Sequence, residues 1–209
     1  TIKMSDKIFN KNDFGLPKDS FVFCCFNHNY KILPDIFEVW IRILKRVQNS
    51  VLWLLNENNI VKNNLKEILA LRGLDTKRVI FAERVPHSEH LARLTFGDLF
   101  LDTFPCNAHT TASDALRANL PIITLRGQSF ASRVASSLLS SVGLKQLITV
   151  SKKDYEELAV KFGKDKNFCA EIRKKLKTNV QNGPLFNTKL FTKNLELAYI
   201  KVYQDNIKN

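Results

Sequence analysis

The 209-residue sequence predicts an α/β protein with a mostly parallel sheet covered by helices on both faces, a three-layer α/β/α fold. Two kinds of segment support this prediction, short apolar runs and longer stretches with helical periodicity. Short apolar runs rich in β-branched and aromatic residues alternate with longer segments whose apolar residues recur at helical spacing. The alternation is typical of βαβ units, whose right-handed crossovers place consecutive strands parallel in one sheet.

Six apolar runs are predicted as strands. The first, Phe21 to Phe26, is strongly β-prone, and the run from Leu99 to Leu101 between two acids is typical of a short buried strand. In chain order the predicted strands are 21–26, 51–55, 78–81, 98–101, 121–125 and a short sixth over 146–150.

The predicted helices show ordinary start and stop signals. Pro34 occupies a first-turn position, and Gly73 and Gly143 are predicted to end the helices before them. The predicted helices are 34–47, 58–71, a short one from 88, 110–120, 129–141, 153–163, 166–179 and 188–206. We expect one domain over 1–209, with an irregular, polar lead-in over 1–19.

The composition is that of an ordinary globular protein, with 44% hydrophobic and 25% charged residues. The four cysteines form no C-x-x-C motif, so neither a disulfide framework nor a zinc site is indicated. No secretory leader or apolar run of membrane-spanning length is present, so we expect a cytoplasmic protein without a membrane partner.

The net charge of +12 is spread along the chain. Three interpretations stay open: a solvated surface, a basic cleft that attracts an anionic substrate, and nucleic-acid binding. A nucleic-acid partner is not expected, because such proteins usually concentrate their basic residues on one face or arm.

Polar loops follow the predicted strands and should meet along one edge of the sheet, since parallel strands end on the same side. The histidines of the chain all lie in these strand-exit segments: His28, His87, His90 and His109. Lys31 and Arg93 add fixed positive charge to the same edge. The sequence therefore predicts a polar, positively biased binding edge.

The segment from Asn107 to Asp114 joins a strand to a helix that begins with His109, Thr110 and Thr111. Hydroxyls, an imidazole and unpaired amides at a helix N-terminus suit a phosphate or diphosphate, and Asp114 lies one turn further in, where a ribose would fit. The alternative is structural, because Thr111-x-x-Asp114 resembles a capping box.

Metal binding is not predicted. His87 and His90 are three residues apart, but no carboxylate or cysteine completes a ligand set, and the chain lacks an Asp-x-Asp motif of the kind that holds Mg²⁺ on a nucleotide diphosphate. Leaving-group charge would then be met by protein groups, namely Lys31, His109, Thr110 and Thr111. The sequence also lacks a P-loop, a G-x-G-x-x-G motif and a nucleophile elbow.

Five segments in order resemble the O-GlcNAc transferase/SPINDLY family, glycosyltransferase family 41. They are 27–31, 85–93, 98–103, 107–114 and 129–135, and Pro184 to Thr188 fits as well. The resemblance runs from about residue 14 to the end of the chain. It implies one Rossmann-like half of a GT-B enzyme, the C-terminal domain that binds the donor.

The resemblance also implies an activity. Similar enzymes transfer a sugar from a nucleotide donor to Ser or Thr hydroxyls of proteins, with inversion and without a metal or other cofactor. The donor is expected to be a UDP-GlcNAc-type nucleotide sugar, or GDP-fucose as in SPINDLY relatives. The N-terminal catalytic half, expected to hold the general base, and the TPR repeats are missing, so the isolated domain should bind donor with little transfer.

Residue roles follow from the matched positions. Lys31 corresponds to the essential lysine on the diphosphate, and His109, Thr110 and Thr111 correspond to the phosphate cradle. Asp114 matches the ribose-binding acid, Val85 and Arg93 the base contacts, and His90 the nucleotide lining. The animal enzymes have Gln at the position of His28 and Lys at that of His87, both near the nucleotide, which leaves base and sugar open.

Structural alternatives accompany several of these assignments. Lys31 and His90 are also compatible with surface positions, and Arg93 with an ion pair to Glu89. Asp102 is expected to support its loop rather than react. The last helix, 188–206, is expected either to cross to the missing domain or to pack on its own sheet. A non-catalytic protein-binding module is the competing function.

Overall fold

The computed structural model describes residues 3–207 and contains a six-stranded sheet. The strands are β1 (Phe21–Cys25), β2 (Ser50–Leu55), β3 (Val79–Ala82), β4 (Leu99–Leu101), β5 (Ile122–Leu125) and β6 (Ile148–Thr149). Their order is β3-β2-β1-β4-β5-β6, and every pair is parallel. The predicted fold class is confirmed.

The strand order reverses between β1 and β4. The chain moves outward from β1 to β3 and then returns to place β4 on the other side of β1, where Phe23 is in register with both Leu52 and Leu99. The loops that leave β1 and β4 therefore diverge and open a crevice at the carboxyl ends of these strands.

Eight α-helices surround the sheet in the described part of the chain. They are α1 (Pro34–Arg46), α2 (Asn59–Leu71), α3 (His87–Leu94), α4 (Thr110–Arg117), α5 (Val134–Ser141), α6 (Lys152–Lys164), α7 (Lys166–Asn182) and α8 (Thr188–Ile207). Helix α1 packs against α6, whereas α4 packs between α3 and α5, so helices form a layer on each face. The core between the layers contains Trp40, Trp53 and Tyr155, all fully buried.

Three predicted elements differ clearly from the structure, and most of the other predicted ends differ from the observed ones by one to three residues. Helix α4 ends at Arg117 rather than 120, because Asn119 adopts a left-handed conformation with φ 57°. The predicted helix 129–141 divides into a 3-10 turn, Phe130–Ser132, and α5. The sixth strand is only two residues long, since Lys145–Leu147 forms another 3-10 turn.

The lead-in is less irregular than predicted. Asn10 caps a 3-10 turn at Lys11–Phe14, and the ring of Phe14 lies 5.3 Å from that of Trp53 and 5.5 Å from that of Phe96. This segment is therefore anchored to the sheet by an aromatic side chain.

Helix α8 does not pack on its own sheet. All of its described residues are exposed, including Phe191, Tyr199 and Tyr203. The prediction of a helix here is confirmed, and the alternative that it covers its own sheet is wrong.

The described cysteines are free, as the sequence predicts, and Cys24, Cys25 and Cys169 are buried. Among residues 3–207, no helix combines the length and the apolar character needed to cross a membrane.

Candidate functional site

A polar cleft of about 320 Å³ opens at the carboxyl ends of the strands near the β1/β4 crevice. It is lined by Phe26, His28, Leu55, Arg84, Val85, His87, His90, Arg93, Thr111 and Asp114. Seven of these ten residues were predicted from sequence as binding residues, so the strand-exit argument located the cleft.

The short turn after β1 carries Lys31. A 3-10 turn, Asn29–Lys31, follows His28, and Glu57 fixes its start by accepting from the Asn29 amide at 2.6 Å and pairing with His28. The Lys31 amine donates to the main-chain oxygen of Asn107 at 2.9 Å. Lys31 is therefore partly buried and joined to the loop after β4.

The loop over 103–109, here the β4–α4 loop, is braced from within. Asp102, fully buried, accepts from the amides of Thr103 at 2.8 Å and Ala108 at 2.6 Å. The Asn107 side chain donates to the Thr103 carbonyl at 2.9 Å. These bonds hold the Asn107 carbonyl where Lys31 reaches it, as expected of a supporting residue at Asp102.

Helix α4 starts at the end of this loop with its first amides free of a side-chain cap. His109 is the N-cap residue and makes no capping hydrogen bond, and its Nε2 lies 3.3 Å from the Ala131 carbonyl. Thr110 is exposed, and Thr111 Oγ1 donates to the side-chain oxygen of Asn27. The capping-box interpretation is wrong, because neither Thr111 nor Asp114 caps the helix.

Asp114 instead pairs with His87. Its Oδ2 lies 3.0 Å from Nε2 of His87, and the Asp114 side chain is 9% exposed. Because a carboxylate only accepts, the imidazole nitrogen donates, and the other carboxylate oxygen remains available for donors entering the cleft.

His90 and Arg93 form a second pair in the cleft. Arg93 is buried, lies 4.7 Å over the Phe26 ring, and donates to Nδ1 of His90 at 3.0 Å and to the Glu83 carbonyl. Burial, with the charges of Arg93 and His87, lowers the pKa of His90 to about 4. The ring is therefore neutral near pH 7, with its proton on Nε2, where it serves as a donor.

The alternative ion pair between Arg93 and Glu89 is wrong. Glu89 pairs with Lys7 at 2.6 Å instead. Burial also lowers the pKa of Arg93 to about 10, which leaves the guanidinium charged at neutral pH.

Three predicted residues, Lys31, His109 and Thr110, do not line the cleft but lie on the Lys31 turn and the β4–α4 loop beside it. Sequence reasoning missed Phe26, Leu55 and Arg84 in the lining, and Glu57 as a support. Glu57 follows β2 and so belongs to the same edge, a signal that would have identified it. In the described range 3–207, no group of three or more His, Cys, Asp or Glu side chains is arranged to hold a metal ion.

The fold is that of a Rossmann-like α/β domain with a cleft at the topological switch point of its sheet. The model of Glycosyl transferase family 41 matches residues 2–195. The chain belongs to glycosyltransferase family 41.

Curated relatives are consistent with this family. The chain is 40% identical over 194 residues to the probable UDP-N-acetylglucosamine–peptide N-acetylglucosaminyltransferase SEC of Arabidopsis thaliana, covering 92% of this chain and 20% of that protein. It is 35% identical to the corresponding transferase of Caenorhabditis elegans, covering 90% of this chain and 16% of that one. The chain thus spans about a fifth or less of these relatives.

Solved structures agree with the fold. A mutant O-GlcNAc transferase of Thermobaculum terrenum superposes with a TM-score of 0.84 at 29% identity, covering 90% of this chain and 39% of that one. WaaG, a glycosyltransferase involved in lipopolysaccharide biosynthesis, superposes with a TM-score of 0.64 over 88% of this chain and 50% of that one. At 16% identity, the second likeness concerns the fold alone.

Proposed function

We propose that this chain is the donor-binding domain of an inverting, metal-independent protein O-glycosyltransferase that uses a UDP-GlcNAc-type donor. The observation that carries the proposal is the bond between the Lys31 amine and the Asn107 carbonyl beside the uncapped start of α4. This bond places a cation next to the loop that leads into free helix amides, a combination that favours a diphosphate. The relatives named as UDP-N-acetylglucosamine transferases support the choice of donor.

The proposed reaction needs negative charge on the departing diphosphate to be stabilised. Lys31 would contribute a fixed positive charge, and the amides of Thr110 and Thr111 would contribute the partial positive charge of the helix start. These donors are held in place before the substrate arrives, so little reorganisation is required when the glycosidic bond breaks. The acceptor hydroxyl of a protein Ser or Thr and the general base would come from outside this chain.

The nucleoside would occupy the cleft itself, next to the diphosphate. Asp114 has one carboxylate oxygen free for the ribose hydroxyls, and the neutral His90 ring presents Nε2–H beside Val85. Since the Arg93 guanidinium is committed to Glu83 and His90, we propose that it orients His90 and contacts the base only at its edge.

The first prediction concerns Lys31. Lys31→Ala removes the charge-assisted contact with the diphosphate, so UDP should bind at least about tenfold more weakly than to the wild type. Isothermal titration calorimetry with UDP and GDP measures this loss and reports which base the cleft prefers.

Lys45→Ala is the matched control, because Lys45 is an exposed lysine on α1 far from the cleft. It should leave the affinity unchanged. If neither nucleotide binds the wild type at millimolar concentration, or if both lysine variants lose the same affinity, the donor-site proposal is refuted.

A further inference from the structure

The carboxyl group of Asp102 lies below the cleft and has no contact with donor in the proposed function. It is fully buried and bonds to both ends of the β4–α4 loop through Oδ1, which accepts from the Thr103 and Ala108 amides. Its Oδ2 accepts from the Thr124 hydroxyl at 2.6 Å. Asp102 therefore links the two ends of the loop that carries the Asn107 carbonyl, to which Lys31 donates.

This hydrogen-bond arrangement is compatible with two protonation states. When Asp102 is ionised, both oxygens accept. When a proton is on Oδ2, Oδ1 is a carbonyl oxygen that still accepts both amides, and Oδ2–H donates to Thr124, because a hydroxyl can donate or accept. The loop geometry is therefore preserved when Asp102 is protonated.

Titratable groups face Asp102 from three elements: Cys25 on β1, Lys31 in the turn after it, and Tyr155 on α6, whose hydroxyl donates to the Asp102 carbonyl at 2.9 Å. Burial raises the pKa of the Cys25 thiol and of the Tyr155 phenol well above their usual values, so both stay neutral near pH 7. Among these described neighbours, Lys31 is the charged one.

Two opposing effects set the protonation of Asp102. Burial raises the pKa of Asp102 to about 7, and this effect outweighs the hydrogen bonds from Thr124, Ala108 and Thr103 and the positive charge of Lys31, which lower it. A change of charge near Lys31 therefore shifts the fraction of Asp102 that is protonated near pH 7.

We propose that Asp102 is a positioning residue that holds the β4–α4 loop in both protonation states and takes up a proton when an anionic diphosphate binds at Lys31. This inference rests on the proposed function. The negative charge of a bound diphosphate offsets the charge of the Lys31 amine, which favours the ionised carboxylate of Asp102, so the neutral carboxyl becomes favoured. The proton moves from a buffer acid to Oδ2, where one O–H bond forms and the carboxylate charge is lost.

Calorimetry with UDP-GlcNAc tests the inference, because a diphosphate diester has no proton to gain near neutral pH. Titrations at pH 7 in two buffers of different ionisation enthalpy give the number of protons taken up per donor bound. The wild type should take up as much as about half a proton from Asp102. In Asp102→Asn, whose amide imitates the neutral carboxyl, this uptake should disappear while binding persists.

Asp98→Asn is the control, since Asp98 precedes β4 at the opposite end of the strand, and its uptake should equal that of the wild type. If the wild type takes up no proton, or if Asp102→Asn takes up as many protons as the wild type, the inference is wrong. Neither result contradicts the proposed donor site. If Asp102→Asn does not fold, infrared difference spectroscopy of the wild type replaces it as the test. Addition of UDP-GlcNAc should then produce a protonated-carboxyl band, and absence of this band would also overturn the inference. Failure of the wild type to bind UDP-GlcNAc refutes the proposed function and this inference with it.

Discussion

At the scale of single residues, the cleft depends on pairs in which one side chain fixes the state of another. Arg93 donates to Nδ1 of His90 and so leaves the proton of the neutral ring on Nε2. His87 occupies one oxygen of Asp114 and leaves the second open. These pairs turn ordinary polar residues into donors and acceptors of defined direction, which is what recognition of a nucleoside needs.

Asp114→Ala should separate the two ends of the donor. The substitution removes the acceptor for the ribose hydroxyls but leaves Lys31 and the start of α4 in place. We expect UDP to bind about tenfold more weakly, as for the loss of a hydrogen bond to a charged group, and inorganic diphosphate to bind as before. Calorimetry with both ligands measures the difference.

Thermal unfolding of the same variant measures any loss of stability and is the control. Asp114 is mostly buried, and its removal also leaves His87 without this hydrogen-bond partner. Equal losses for UDP and diphosphate would mean that the substitution disturbs α4 itself. Asp114 would then have a structural role and no part in recognising ribose.

At the scale of elements, the strands were predictable and several helix ends were not. Buried parallel strands are apolar along their whole length, so β1 and β2 are recognisable from composition alone. The segment around Phe130 has helical spacing, but the Asn107 amide donates to the Ala131 carbonyl and the Gly127 amide to the Ser132 carbonyl, both at 2.9 Å. Such bonds come from other parts of the fold and impose a 3-10 turn that local spacing does not encode.

In the candidate site, too, some features could be predicted from the sequence and others could not. Topology predicts which loops share an edge, so His28, His87, His90 and Asp114 were found from the sequence. Which side chains then bond is set by distances of a few tenths of an ångström. The position of Glu57 after β2 could have placed it at this edge, but its contact with the Asn29 amide could not be predicted from the sequence. The pairing of Glu89 with Lys7 instead of Arg93 was equally beyond sequence reasoning.

Deleting α8 should leave the rest of the fold intact. The helix buries none of its described residues, so a chain ending at Asn187 loses little packing. Its thermal midpoint should stay within a few degrees of the full chain, about the effect of 1 kcal/mol in a domain of this size, while the helical circular dichroism signal decreases. A large drop in the midpoint would show that α8 packs on the domain.

At the scale of the whole molecule, part of the positive charge is structural. Arg46 bonds to Glu156 and Glu157, and Lys152 pairs with Asp35 at 2.5 Å, so ion pairs join α1 to the region of α6. Other lysines, such as Lys174 and Lys177 on α7, lie exposed and away from the cleft. Basic side chains therefore lie on several helices as well as beside the cleft.

This distribution leads to different expectations for donor binding and for the nucleic-acid alternative. Few lysines can contact one oligonucleotide backbone at once, so few counterions are released, and binding should be weak even at low salt, with a shallow salt dependence. Fluorescence anisotropy with a random single-stranded oligonucleotide should show any binding at low salt disappear by about 0.15 M, where screening extends over only about 8 Å. Under the same conditions UDP should still bind, because its phosphates meet Lys31 and the helix amides directly. Saturable oligonucleotide binding that persists at that salt concentration and is unaffected by UDP would instead identify the basic surface as the functional one.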